Sequence, residues 1–237
     1  MDASVVHYIP IVTTILAVPF SLEIFRRFRR HPDRLHLMWW AIGIATYGAG
    51  TLTESATTIF GWHEPVFRAW YITGALLGGA PLAQGTVYLL LSRKTAHRCT
   101  AVLLTVVAIA SVAVVLSPID YALVEPHRLT GRVFGWTWVR GFSPFINLYA
   151  VVFLIGGALY SAIKYSESPE TRRRMWANVL IMVGAILPGI GGMATRLGHT
   201  EVLYVMELIG LVFTWAGYRI SVAPPATVAS PSRSSFA

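Results

Sequence analysis

The chain has 237 residues, 55% of them hydrophobic and 13% charged, with 20 glycines, 13 prolines and 8 tryptophans. A soluble domain carries about 25% charged residues, so this composition excludes an ordinary water-covered globule. The net charge of +8 does not mark a nucleic-acid binder, because the basic residues lie in short clusters between apolar runs.

A helix needs about 20 apolar residues to span a bilayer. Such runs fall at about 8–25, 37–60, 69–91, 99–117, 143–163, 176–195 and 201–220. They are continuously apolar, which argues against the alternating ten-residue strands of a membrane barrel. The expected fold is therefore all-α: one seven-helix transmembrane domain over 1–222, followed by a disordered cytoplasmic tail over 223–237 rich in Pro, Ser and Ala.

The first run is preceded by no basic residue and followed by Arg26, Arg27, Arg29 and Arg30. A cleavable signal peptide has the opposite order. Arg34 completes the first loop, Arg93, Lys94 and Arg98 mark the third, and Lys164, Arg172, Arg173 and Arg174 mark the fifth. With Arg219 and Arg233 in the tail, 14 basic residues lie on one side, against Arg68, Arg128, Arg132, Arg140 and Arg196 on the other. Basic loops stay in the cytoplasm, so the N-terminus is expected outside and the C-terminus inside.

The loop over about 118–142 is the long connection, on the outer side. Its stretch from Thr130 to Trp138 is expected to form either a hairpin or short cap over the bundle, or an interfacial aromatic belt. Gly78-Gly79-Ala80-Pro81 is expected to interrupt the third run, and Leu187-Pro188-Gly189-Ile190-Gly191-Gly192 the sixth. Proline removes an amide donor, and glycine permits close helix approach.

An acid in hydrocarbon is costly unless it is paired, protonated or facing water. Glu54 lies in the second run, roughly 9 Å outward of its middle, and Glu207 in the seventh, roughly 4–5 Å outward, at 1.5 Å per residue. A candidate ligand- or proton-binding site in the outer half therefore comprises Glu54, Glu207, Arg196, Arg140 and Asn147. Tyr71 and Tyr204 would lie at its edges, and Gln84 one turn inward of Pro81. The competing structural reading is that each acid simply hydrogen-bonds within the bundle.

Other chemistry is poorly represented. The histidines lie at the ends of the runs rather than inside them, which does not suit an intramembrane bis-histidine haem. His63, Glu125, His127 and His199 on the outer side lack the spacing of a metal motif. Cys99 is the one cysteine, so neither a disulfide within the chain nor a thiolate cage is expected. No nucleophile elbow, zincin helix or phosphate-binding glycine loop is present, and neither a catalytic activity nor a cofactor is expected.

The predicted topology is similar to that of microbial rhodopsins and of the seven-helix sensor modules of bacterial receptors. Retinal needs a lysine in the last helix, however, and the only lysines, Lys94 and Lys164, fall at cytoplasmic ends. The motifs Arg68-Ala69-Trp70-Tyr71-Ile72-Thr73-Gly74, Gln84-Gly85-Thr86-Val87-Tyr88 and Phe153-Leu154-Ile155-Gly156-Gly157, with the run Asn178 to Pro188, resemble a group of small, uncharacterised bacterial seven-helix membrane proteins. That resemblance implies the fold and a multi-pass place in the bacterial cytoplasmic (inner) membrane, and carries no substrate. Two functions follow as expectations: binding or transport of a small solute or proton at the outward-leaning site, or a sensor or accessory subunit acting through a separate membrane or cytoplasmic protein partner. The lipid bilayer is the partner common to both.

Overall fold

The computed structural model describes residues 5–126 and 128–223. His127, expected beside the outer histidines, and the tail beyond Ala223 lie outside the described residues. Helix accounts for 86% of the structure, with no strand among the described residues.

The main helices are α1 (Ile9–Arg30), α2 (Leu35–Phe60), α3 (Glu64–Trp70), α4 (Ala80–Leu90), α5 (Arg93–Leu116), α6 (Phe142–Ala150), α7 (Gly156–Ser166), α8 (Arg172–Arg196) and α9 (Thr200–Val222). Five stretches are long and apolar enough to cross a membrane: 5–30, 93–116, 137–166, 169–195 and 200–222. Helix α2 has the length but not the apolarity, since it carries Thr51, Thr53, Glu54, Ser55, Thr57 and Thr58 within two turns. The third expected run is broken. A π-helical segment, Tyr71–Leu76, follows α3, and the chain leaves helical geometry at 77–79 before Pro81 opens α4.

The outer surface is apolar to a degree that a soluble protein does not show, although the interior holds apolar clusters too. Val12, Ile15, Val18 and Leu22 of α1 and Val102, Leu104, Ile109 and Val112 of α5 face outward, while Thr13, Thr51, Glu54, Thr57 and Gln84 are buried. Apolar exposure on this scale needs a non-aqueous surround.

Helices α8 and α9 are the most closely packed pair. A methyl added to Gly184 would lie 2.6 Å from the Gly210 carbonyl, one added to Gly191 would lie 2.7 Å from Leu203 Cα, and one added to Gly217 would lie 2.6 Å from the Ala177 carbonyl. These positions step by seven along each helix in opposite directions, which is the register of two antiparallel helices in contact along their full length.

The expected interruption at Pro188 is not found: α8 runs unbroken from Arg172 to Arg196. Proline takes the donor from the Gly184 carbonyl, but α9 fills the resulting irregularity. The Gly210 edge lies against both the Gly184 carbonyl and the Pro188 ring. The irregularity appears instead in the fifth run, where a π-helical segment, Val151–Ile155, joins α6 to α7 without interrupting the helix.

The connection between α5 and α6 is a cap. Ile119 and Phe134 form an isolated antiparallel bridge, held by hydrogen bonds from Asp120 N to Val133 O and from Gly135 N to Pro118 O, both 2.8 Å. Leu129, Val133, Phe134 and Val139 are buried against Phe67, Tyr71 and Ile146. Trp136 and Trp138 remain exposed and stacked, with ring centres 5.7 Å apart. One segment thus supplies both the cap and the aromatic rim.

Candidate functional site

Helix α2 presents Tyr47, Thr51 and Glu54 along one face, at spacings of four and three residues that bring successive turns into line. Glu54 is 3% exposed. One of its carboxyl oxygens, Oε1, accepts a 2.9 Å hydrogen bond from the Trp70 indole at the end of α3. Across the interior, α9 carries Glu207, and the two carboxyl groups lie within hydrogen-bonding reach of each other. Tyr47 reaches from α2 to α9, its hydroxyl donating to the Glu207 backbone carbonyl at 2.9 Å. The Oε2 atoms of Glu54 and Glu207 are buried and meet no donor among the described residues.

The pair opens onto a cavity of about 1720 Å³. Its walls come from α1, α2, the first π-helical segment, α4, the cap, α6, the second π-helical segment, α7, α8 and α9. It extends from Arg128 and Arg140 at the capped end to Arg34, Lys164 and Arg174 at the opposite end. Helix α8 packs on α9, α7 and the second π-helical segment, whereas α6 packs on that segment, on the first and on α4 and α5. Helices α6 and α8 both line the cavity, and beyond the second π-helical segment that they share their neighbours differ. Leu148 on α6 and Ile190 and Met193 on α8 line the cavity and are exposed.

The expected site residues divide into several groups. Glu54 and Glu207 meet. Tyr71 lines the cavity and is buried beneath Phe134 and Gly131. Tyr204 is buried one turn from Glu207, with its ring against His7. Asn147 lines the cavity and spends its amide on Ala75 O at 3.2 Å and Ser143 Oγ at 3.0 Å. Arg140 lies exposed at the capped mouth, beside Gly131. Arg196 ends α8, and its side chain is outside the described part of the structure.

Gln84 occupies a different place. It is fully buried, donates to Ala96 O at 3.1 Å and Thr100 Oγ1 at 2.9 Å, and accepts from the Tyr149 hydroxyl. All three partners lie on α5 and α6, and Gln84 is a clamp between helices rather than part of the cavity wall.

Sequence reasoning passed over Tyr47, Trp70 and Arg128. Arg128 lines the cavity mouth, pairs with Glu125 at 3.1 Å and donates to Thr195 O at 2.9 Å, tying the cap to the end of α8. The signal available for Trp70 was its place in the Arg68-Ala69-Trp70-Tyr71 motif. Arg68 itself bonds Glu64 and caps α5 through the Val114 and Ser117 carbonyls. Beside it, the Tyr121 hydroxyl donates to Glu64. That bond, and Arg68 after it, hold the Glu64 carboxyl below its ordinary range.

Glu23 provides a second acidic link, at the other end of the bundle. Its Oε2 accepts from Trp215 Nε1 at 3.0 Å and from Arg219 at 3.1 Å, joining α1 to α9. Among the described residues, no group of three His, Cys, Asp or Glu side chains is placed to hold a metal ion. No family model matches the chain, and the searches of curated proteins and of solved structures gave no match.

Proposed function

We propose that the chain crosses a bacterial inner membrane seven times, N-terminus outside, and binds or transports a small solute or proton at the Glu54–Glu207 pair. Five apolar helices of spanning length support the membrane reading. Helix α2, at 26 residues, is about 39 Å long, and the broken α3–α4 segment runs beside it, which together account for the other two passes. The asymmetry of Lys and Arg between alternate loops supports the direction.

The observation that carries the functional reading is the approach of the buried Glu54 carboxyl on α2 and the Glu207 carboxyl on α9 on the wall of an open cavity. Two carboxyl groups so placed can hydrogen-bond to each other only when one of them carries a proton. Two carboxylates in contact in a poorly solvated interior do not both stay ionised. The pair therefore acts as a one-proton store, and the proton can leave toward the cavity or exchange for a cationic group.

The test uses purified protein in liposomes with a trapped pH-sensitive dye. The wild type is expected to dissipate an imposed pH gradient at least tenfold faster than Glu207→Gln, with equal protein incorporation. Equal rates would rule out the pair as the proton-handling group.

A further inference from the structure

The cavity is far larger than a proton or a small hydrated ion requires, exceeding the 300–1,000 Å³ typical of drug-sized ligand pockets. Its two aqueous ends are basic, with Arg128 and Arg140 at one and Arg34, Lys164 and Arg174 at the other. A hydrated cation approaching from water therefore meets like charge at both mouths. Between α6 and α8 the lining is apolar and exposed, through Leu148, Ile190 and Met193. On its wall are two buried carboxyl oxygens, Glu54 Oε2 and Glu207 Oε2, which meet no donor among the described residues apart from the proton the pair shares. Glu54 is 3% exposed.

Each feature narrows the ligand. A pair that holds one proton leaves acceptor capacity for a ligand group that donates hydrogen bonds, and an acidic pair favours one that is positively charged. Trp70 bonds the Glu54 carboxyl and Tyr47 the Glu207 backbone, and aromatic side chains beside an acid suit an organic cation better than a metal ion. The apolar gap suits a hydrocarbon chain that arrives from within the bilayer and never crosses the basic mouths.

From the meeting of the Glu54–Glu207 pair with the apolar gap between α6 and α8, we infer that the site takes a lipophilic amine. The ammonium group would be held between the two carboxyl groups and its alkyl chain would lie along Leu148, Ile190 and Met193. This inference rests on the reading of the pair as a binding site and names the class of solute.

The experiment measures binding of dodecylamine, dodecanol and dodecanoic acid to the protein in nanodiscs by calorimetry, with empty nanodiscs subtracted. The Glu54→Gln/Glu207→Gln double variant is the control for partition into lipid. Dodecylamine is expected to bind the wild type at least tenfold more tightly than either other probe, and the double variant is expected to lose that preference while keeping its circular dichroism and melting temperature. Tighter binding of dodecanoic acid would overturn the inference in favour of the arginine-lined mouths. Equal binding of all three probes would reduce the gap to a nonspecific lipid groove and would also overturn it. A dimer in mass photometry of the same nanodiscs, with no amine binding, would assign the gap to a second copy of the chain. Failure of amine binding while Glu207→Gln still abolishes proton flux would sink the inference alone and leave the proton-handling reading standing.

Discussion

Trp70 and Glu54 are 16 positions apart, on opposite arms of the α2–α3 turn, and the indole donates to the carboxyl at 2.9 Å. The bond fixes one carboxyl oxygen, so that the other is directed at α9. The turn makes this possible: Gly61 adopts φ +81° at the end of α2, a conformation glycine takes at little cost. Pro65 then lies in the first turn of α3, where a missing amide hydrogen is harmless.

Trp70→Phe keeps the ring bulk and removes the donor. A buried acceptor left without its partner costs about 1–3 kcal/mol, and thermal unfolding in detergent should register a loss of that order. The substitution should also loosen the orientation of Glu54, so the rate of proton flux in liposomes should fall with it. A variant as stable and as active as the wild type would show that the indole bond neither holds the fold nor orients the acid.

Much of this arrangement was legible in the sequence, because membrane segments obey strong constraints. An acid within an apolar run must be paired or face a cavity, and that alone singled out Glu54 and Glu207. Partners were harder to read. Trp70 and Tyr47 are ordinary residues of apolar helices until the fold sets them beside an acid from another helix. Gln84 misled for the same reason. A buried amide beside a proline is equally consistent with a site and with a clamp, and only its bonds to Ala96, Thr100 and Tyr149 decide for the clamp. Pro188 showed the limit of local rules. Its effect on α8 depends on Gly210 of the neighbouring helix, which no window around residue 188 contains.

The glycine register between α8 and α9 makes a paired prediction. Gly210→Ala would put a methyl 2.6 Å from the Gly184 carbonyl and 3.0 Å from the Pro188 ring. Backbone cannot yield as a flexible side chain does, and overpacking of this kind costs about 1–3 kcal/mol. Gly189→Ala, on the same helix as Pro188, meets nothing within 4 Å and gains helix propensity of about 0.5–1 kcal/mol. Melting temperatures in detergent should therefore move in opposite directions for the two variants. Similar losses from both would mean that α8 and α9 are not in the contact described.

The cap should be sensitive to acid. Glu64 accepts from Tyr121 in the cap and from Arg68 in α3, and these bonds lower its carboxyl pKa, the tyrosine contributing first. A depressed folded pKa means that the contribution is fully present above the unfolded value and is lost as the pH falls through the folded one. Protonation below the ordinary carboxylate range should thus weaken the hold of Tyr121 and free the 118–142 connection from α3. Glu64→Gln should remove this dependence and behave at pH 7 much as the wild type does in acid. Limited proteolysis of that connection across pH 7 to 3, in both proteins, reads the effect directly. Cleavage of the wild type that rises on acidification, against a high and flat rate for the variant, is the expected pattern. A wild-type rate independent of pH, after correction for the protease itself, would show that another contact holds the cap.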